Sequence, residues 1–341
     1  VLTQMAAEKL KVPLSQLKVR DGQIIDLKNP NRRVTYIQLT GGKIIERRLN
    51  QSVSPLPASQ HTISGKATGR TDARQKVTGE AHYSGDIRLS GMLYAKILRP
   101  PAHDAILKSI NLEPAKKING VKVIREGDLI ATLHKYPDEA QKALDKISVE
   151  WEQLEPEVDH HSIFDHLLRS APSAEIVTQN GNIKIGRNLA AQKFEATYLN
   201  HYVAHAPMEP HTAVAQVEDQ KATVWASTQT PFWAQREVAG TLGLTPQNVR
   251  VITPFVGGGF GGKTRNQQVI EAARLAKLVG KPVQVAWTRK EEFFYDTFRP
   301  AAVIKVRSGL DRSQRIVYWD YDNYFAGSRS SKPFYNIPHQ Q

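Results

Sequence analysis

The clearest hydrophobic pattern in the chain lies in TRNQQVIEAARLAKLVG, residues 264–280. Its apolar residues recur at helical spacing: Ile270, Ala273, Leu275 and Leu278. This spacing predicts an amphipathic helix. Gly280 and Pro282 follow in the order that usually ends a helix.

Shorter apolar segments alternate between strand and helix patterns. Strand patterns occur in LKVRDGQIIDL, GMLYAKILRP, SVEWEQL, KFEATY, KATVWASTQ, VRVITPF, PVQVAW and RIVYWD. Helical patterns occur in VLTQMAAEKL, DEAQKALDKI, SIFDHLLRS and PFWAQREVAGTLGL, and AILKSINLEPAKKINGVKVI predicts strand, helix and strand in turn. The mixed order predicts an α+β fold.

Two loosely patterned segments divide the chain. QSVSPLPASQ, residues 51–60, is rich in Pro and Ser, and a second connector contains the turn-rich QNGN. We therefore expect four parts. These are residues 1–60 (a helix, a β segment and a linker), 61–155 (a compact α+β module), 156–186 (a connector) and 187–341 (a more regular α+β region).

The composition of the chain limits the classes of partner that it is expected to bind. The 341 residues carry 46 Lys and Arg against 33 Asp and Glu, a net charge of +13. These charges are spread without a recognised nucleic-acid motif, which favours a solvated surface or a docking face for an acidic partner over nucleic acid. No apolar run is long enough to predict a membrane span. The chain has no cysteine, so it cannot itself hold an iron–sulfur cluster through thiolates.

The segment GGGFGGKT, residues 257–264, satisfies two nucleotide-binding patterns. It matches the phosphate loop G-x-x-x-x-G-K-[ST] and the dinucleotide fingerprint G-x-G-x-x-G. Five glycines in eight residues make both matches weak evidence. Glycines do leave the backbone amides open to a bound group, and the segment joins a predicted strand to a predicted helix start. We therefore expect a ligand-binding loop.

Neither nucleotide pattern has full support. RIVYWD ends in Asp320, a candidate magnesium carboxylate, but too few residues follow Thr264 for the strand and helix units that surround a phosphate loop. The dinucleotide pattern lacks its acidic residue, since PVQVAW is followed by Arg289 and Lys290. A phosphotransferase that holds phosphates with Lys263 remains an alternative.

The segment HYVAHAPMEPH is a second candidate for chemistry. It offers four side chains of the metal-ligand type: His201, His205, Glu209 and His211. Pro207 and Pro210 interrupt any helix that would bring them together. The favoured interpretation is an irregular buried segment, and no metal ligand is assigned.

Several ordered motifs resemble one family. STQTPFWAQ, VRVITPFVGGGFGGKTRNQ and HYVAHAPMEPHTAVAQVE resemble the molybdenum-cofactor subunit of the xanthine dehydrogenase and aldehyde oxidase family. GKATGRTDARQKVTGEAHYSGDIRLSGMLYAKILRPPAH resembles its α/β hammerhead domain. LTQMAAEKLKVPLSQLKVRDGQIID is similar to the insertion before the hammerhead in relatives of the isoquinoline oxidoreductase and exported aldehyde dehydrogenase kind.

The resemblance implies a fold and a cofactor site. The fold is a hammerhead domain followed by a mixed α+β molybdopterin-binding domain. Gln229 matches a glutamine near the apical oxo group of molybdenum, Phe260 and Gly261 match the backbone beside the metal, and the glycines cradle the pyranopterin. The implied cofactor-binding residues are Gln229, Gly257, Gly258, Gly259, Phe260, Gly261 and Gly262.

The resemblance also implies a reaction. It would be hydroxylation of an aldehyde or N-heteroaromatic carbon, with oxygen from water and a hydride passing to a molybdenum sulfido group. Thr264 falls in the implied substrate pocket, where purine-oxidising members carry a glutamate. A hydroxyl cannot supply that charged acceptor, which argues against xanthine.

The implied cofactor is molybdopterin, with a cytosine dinucleotide form among the alternatives. The electrons would leave through a 2Fe-2S cluster in a separate iron–sulfur subunit, and a further electron acceptor and the remaining molybdopterin-domain subunit are candidate partners. The family's glutamate base lies beyond the final YNIPHQQ, so no catalytic residue is assigned. We expect a split subunit or a fragment, a non-catalytic fragment included, and both periplasm and cytoplasm remain open.

Overall fold

The computed structural model describes residues 1–46, 55–153, 155–325 and 333–341. The first four residues of the predicted 51–60 connector lie outside these ranges. The helices α1 to α10 in this part of the chain are Leu2–Leu10, Tyr36–Thr40, Ala73–Thr78, Glu113–Lys116, Pro137–Leu144, Ile163–Ser170, Ile183–Leu189, Pro231–Leu242, Gln267–Val279 and Arg289–Tyr295.

The strands β1 to β18 are interspersed with these helices, and the two classes together confirm the α+β fold. In chain order the strands are Leu17–Arg20, Gln23–Asp26, Arg33–Thr35, Leu93–Ile97, Ile106–Asn111, Lys122–Glu126, Leu129–His134, Ser148–Glu152, Gln192–Asn200, Val203–Ala204, Thr212–Glu218, Lys221–Ala226, Val249–Ile252, Val283–Ala286, Phe298–Arg299, Ala302–Leu310, Ile316–Phe325 and His339–Gln340.

The chain divides into two compact units, Val1–Thr71 and Asp72–Gln341. The first unit contains an antiparallel three-stranded sheet in the order β1-β2-β3. Ala6 of α1, Ile24 and Val34 form its small core. The predicted helix and β segment are therefore present here, and Thr35 caps α2 with a reciprocal bond to Gln38.

The second unit is organised around a seven-stranded mixed sheet in the order β13-β12-β11-β14-β4-β7-β6. Strands β4, β6 and β7 come from residues 93–134, and the other four come from 212–286. The two sets meet where β4 runs parallel to β14, with Leu93 opposite Val283. The predicted module at 61–155 thus contributes strands to the same sheet as the later region, and the four-part division stays a prediction.

Helices α8 and α9 belong to the main core of this unit. Core side chains that are fully buried include Leu133, Val224, Val238, Leu275 and Val283. The predicted amphipathic helix is confirmed as α9, which ends at Gly280 in the left-handed conformation. Leu278, the last apolar residue of the predicted stripe, is 44% exposed, and the neighbouring Val279 packs against the core in its place.

Three smaller sheets complete the second unit within the described ranges, and one of them pairs the short strands β10 and β15. Strands β5 and β8 pair antiparallel, and Ile110 and Val149, which lie opposite each other, belong to this pair. Strands β18, β17, β16 and β9 form a four-stranded sheet that α7 contacts. No helix in the described ranges is both long enough and apolar enough to cross a membrane.

Candidate functional site

The glycine loop, residues 257–262, follows β13 at one end of the seven-stranded sheet. A short 3₁₀ turn, Gly262–Thr264, separates it from α9, which begins at Gln267. The loop therefore joins a strand to a helix, as the sequence predicts, with one 3₁₀ turn between the loop and α9. The donors that the loop offers are its own amides.

Three residues of the loop have a positive φ. The values are 95° for Gly258, 53° for Phe260 and 108° for Gly261. Glycine adopts these angles without steric cost, whereas a phenylalanine at φ 53° is strained. Phe260 is also 73% exposed. A strained aromatic residue on the surface is unusual, and such strain clusters at ligand-binding sites.

The amides of the loop fall into two sets. Gly257 donates to Glu209 Oε2 at 2.8 Å, Gly261 to Gln229 Oε1 at 3.0 Å, and Gly262 to the carbonyl of Gly259 at 2.8 Å. The amides of the three residues between them, 258–260, have no acceptor within the described ranges. The loop is thus fastened at its ends and leaves three consecutive amides without a protein acceptor, on residues that range from the buried Gly259 to the exposed Phe260.

Close packing explains why glycine occupies three of these positions. A Cβ at Gly257 would lie 2.6 Å from the Cβ of Glu209, and one at Gly262 would lie 2.5 Å from the carboxylate of Asp296. A Cβ at Gly259 would lie 2.6 Å from Gln229 Oε1. The loop therefore rests directly on side chains from other segments, without space for side chains of its own.

Gln229 lies just beyond the end of β12 and makes one hydrogen bond with the loop and one with the residue that follows it. Its amide N–H donates to the carbonyl of Lys263 at 2.8 Å, and its Oε1 accepts from Gly261. The side-chain oxygen is therefore committed to the loop, and the exposed NH₂ group remains as a donor beside it. Gln229 adds a fourth donor to the three free amides.

Thr264 lies on the surface next to this group of donors. Its hydroxyl donates to the carbonyl of Gly261 at 2.7 Å. Because that proton is used within the loop, Thr264 presents to a neighbouring molecule only a methyl group and oxygen lone pairs. The residue carries no charge with which to bind a polar substrate.

Lys263 points into the protein. Its side chain is fully buried, and Nζ lies 2.9 Å from Glu209 Oε2. Burial lowers the pKa of Lys263, and the hydrogen bond and charge of Glu209 oppose that shift. Asp320 is bound to Arg187 and Arg307 in the separate four-stranded sheet. The phosphate-loop interpretation is incompatible with these positions, because the lysine cannot contact a ligand.

The histidine segment supplies supports for the loop. His205 Nδ1 lies 2.9 Å from Asp296 Oδ2, and His211 Nδ1 lies 2.9 Å from Glu292 Oε1. His201 packs instead on the ring of Phe164, with centroids 4.6 Å apart. Within the described ranges, no group of three or more His, Cys, Asp or Glu side chains is placed to hold a metal ion.

The charge of Glu292 makes the stability of this buried layer depend on pH. Burial alone raises the pKa of Glu292, but hydrogen bonds from His211 and the charge of Lys263 outweigh it and the pKa is lowered. A lowered carboxyl pKa stabilises the fold above the ordinary glutamate range, and the contribution is lost as pH falls.

We expect Glu292→Gln to flatten the decline in unfolding free energy between about pH 6 and pH 3. Denaturant titrations at several pH values measure this slope. The exposed-site variant Glu157→Gln should keep the wild-type slope, and equal slopes in both variants would contradict the assignment.

The layer beneath the loop has no signature in the sequence, whereas the loop and Gln229 do. Glu209, Asp296 and Glu292 lie 54, 33 and 29 residues from Lys263 in the chain, and the pairing of Lys263 with Glu209 is visible only in the fold. The one available signal is Lys263 itself. A lysine beside a glycine-rich loop suggests a phosphate ligand before it suggests a buried ion pair.

The glycine loop beside Gln229 is a candidate site for a group that offers hydrogen-bond acceptors. A protein family described as molybdopterin cofactor-binding domain matches residues 168–339. The chain therefore belongs to this family, within the molybdenum-binding subunits of the xanthine dehydrogenase family. The family resemblance expected from the sequence is confirmed.

Relatives extend the likeness over almost the whole chain. A nicotinate dehydrogenase component from Pseudomonas putida is 24% identical over 95% of this chain and 28% of its own length. The beta subunit of isoquinoline 1-oxidoreductase from Brevundimonas diminuta is 26% identical over 93% of this chain and 46% of its own length. This chain thus spans less than half of either relative.

A solved structure has the same fold. Quinoline 2-oxidoreductase from Pseudomonas putida 86 superposes with a TM-score of 0.62 and 22% identity, over 76% of this chain and 39% of that one. The residues of the glycine loop fit the family's cofactor. A pterin is planar and rich in acceptors, and three free amides plus the NH₂ of Gln229 match that chemistry.

Proposed function

We propose that this chain forms the cofactor-cradling part of a molybdenum hydroxylase large subunit. The residues that would hold the molybdenum cofactor are Gln229, Gly257, Gly258, Gly259, Phe260, Gly261 and Gly262. The observation that carries the proposal is the run of three free amides, 258–260, beside the NH₂ group of Gln229. The loop that presents those donors is fixed at both ends.

When bound, the cofactor supplies the two-electron oxidising centre of the reaction. The chain holds that cofactor in place. The free amides and the side chain of Gln229 would donate hydrogen bonds to acceptors on the group, and the exposed ring of Phe260 would offer it an apolar surface. Donors that are fixed before binding cost no reorganisation when the group arrives.

The proposed substrate is an aldehyde or an N-heteroaromatic compound, hydroxylated with oxygen from water. The names of the relatives include nicotinate, isoquinoline and quinoline, all N-heterocycles. Thr264 supports the same class, because its methyl group and occupied hydroxyl suit a weakly polar ring better than a purine. The base that activates water remains unassigned in this chain.

We further propose that the electrons leave through a 2Fe-2S cluster on an iron–sulfur subunit. The chain has no cysteine to hold such a cluster, and its net charge of +13 suits an acidic partner. The relatives are named as subunits, which supports a heteromeric assembly. The remaining molybdopterin domain and a further electron acceptor complete the proposed assembly.

Gln229→Leu tests the site. The variant removes both the loop acceptor and the free NH₂ donor, and we expect the molybdenum and pterin bound per protein to fall at least about fivefold, since loss of one good hydrogen bond to a charged group is worth about 1.5–3 kcal/mol. Metal analysis and pterin fluorescence on protein from a cofactor-producing host measure the loss. Gln220→Leu, in an exposed turn, is the control. Equal cofactor content in the two variants would refute the placement.

A further inference from the structure

The glycine loop lies on a layer of charged side chains that are removed from solvent. Lys263 is fully buried, and Glu292 and Asp296 are also buried. Glu209 is largely buried and joins Lys263 to the loop. Charges are costly to bury, so a cluster of this kind requires an explanation beyond general stability.

One atom of this layer contacts both ends of the loop. Glu209 Oε2 accepts from the amide of Gly257 at 2.8 Å and from Lys263 Nζ at 2.9 Å. Gly257 is the first residue of the loop, and Lys263 directly follows its last residue. The backbone of Glu209 also donates to the carbonyl of Gly257 at 3.1 Å. The ends of the loop are thus joined through a single carboxylate oxygen.

The other carboxylate oxygen, Oε1, is buried and has no partner within the described ranges. A buried carboxylate with its hydrogen-bonding capacity satisfied would accept bonds at both oxygens. Here both bonds converge on Oε2, and the second oxygen is left unpaired at an energetic cost. The arrangement is consistent with a side chain held for what it does to the loop.

We propose that Glu209 is the positioning residue of the cofactor loop, with Lys263 as its charge partner. The clamp of Glu209 and Lys263 sets the separation of the loop ends, and thereby turns the amides of residues 258–260 toward the ligand. Gln229 fastens the opposite side through Gly261. This inference rests on the proposed function for the identity of the ligand, and the geometry of the clamp stands without it.

Two double variants of the full chain separate positioning from charge burial. Glu209→Leu with Lys263→Met removes both charges and the acceptor for Gly257. Glu209→Gln with Lys263→Met removes both charges but keeps an oxygen that can accept from Gly257. Both proteins lack the charges at positions 209 and 263 and lose the field of Lys263 at Glu292 alike, so the pair differs chiefly in the loop acceptor.

Amide hydrogen exchange of the peptide containing residues 257–262 is the first readout. We expect at least tenfold faster exchange of the hydrogen-bonded amides, those of Gly257, Gly261 and Gly262, in the Leu and Met variant, and exchange within about threefold of wild type in the Gln and Met variant, since local opening sets the rate of such amides. The peptide of α9 serves as the internal reference and should not change. Equal loop exchange in the two variants would overturn the proposal.

Bound pterin, measured by the fluorescence of its oxidised form, is the second readout. We expect it to fall at least tenfold in the Leu and Met variant and to be largely kept in the Gln and Met variant. If wild-type protein carries no pterin, the proposed function fails, and the exchange result still decides the clamp.

Gly257→Ala provides the test if the Leu and Met variant does not fold. Its Cβ would lie 2.6 Å from the Cβ of Glu209 and would separate the two residues while both charges remain. Gly257 does not have a positive φ, so alanine is compatible with its backbone. We expect the same loss of loop protection, and unchanged protection would overturn the proposal.

Discussion

Replacement of Glu209 by leucine is expected to lower the free energy of unfolding by about 3–5 kcal/mol, the usual cost of breaking one partner from a buried ion pair. The ammonium of Lys263 would remain fully buried without the carboxylate that now lies 2.9 Å away. The amide of Gly257 would lose its acceptor as well. Urea denaturation followed by circular dichroism measures the change.

The control for this experiment is Glu157→Leu, at an exposed carboxylate in the connector. A surface substitution of this kind usually changes stability by less than about 0.5 kcal/mol. Adding Lys263→Met to Glu209→Leu should recover most of the lost stability, because the buried ammonium that lost its carboxylate is then gone as well. If Glu209→Leu alone were as stable as Glu157→Leu, the pair of Glu209 and Lys263 would make no contribution to the free energy of unfolding.

Replacement of Arg99 by methionine is expected to cost a similar amount, about 3–5 kcal/mol. Arg99 follows β4, and its guanidinium donates to Glu271 of α9 at 2.9 Å and to Glu291 of α10 at 2.8 Å. It also lies over the ring of Tyr295, 4.8 Å from the centroid. Burial opposes its charge, yet the two carboxylates outweigh burial and raise the pKa of Arg99.

The variant would leave two carboxylates facing each other without their shared cation. Arg250→Met is the matched control, since Arg250 is exposed on β13 and has no side-chain partner in the described part of the chain. Thermal unfolding of both proteins measures the difference. If the two variants unfold at the same temperature, Arg99 does not hold β4 to the two helices in the way the distances indicate.

Elements with strong local signals could be predicted from the sequence. Helix α9 follows from the spacing of its apolar residues and from Gly280, and α8 from Pro231 in its first turn. The glycine loop is recognisable because five glycines between a strand and a helix have few other uses. In each case the decisive residues lie within one or two turns of each other.

Features that depend on distant contacts could not be predicted. Nothing near Leu93 indicates that β4 lies beside β14, since strand partners are set by packing over the whole fold. The role of Lys263 in the site could not be predicted from the sequence for the same reason. Its neighbours in sequence suggest a phosphate ligand, whereas its neighbour in space, Glu209, makes it part of the protein interior.

The mixed origin of the seven-stranded sheet has a consequence for synthesis on the ribosome. Strands β4, β6 and β7 emerge first and pair with one another, but the other edge of β4 waits for β14, which is made much later. Until then the nascent chain carries an open strand edge, which can pair with other chains. Folding of the first half is therefore tied to translation of the second, and a ribosome that stalls before β14 leaves an aggregation-prone product.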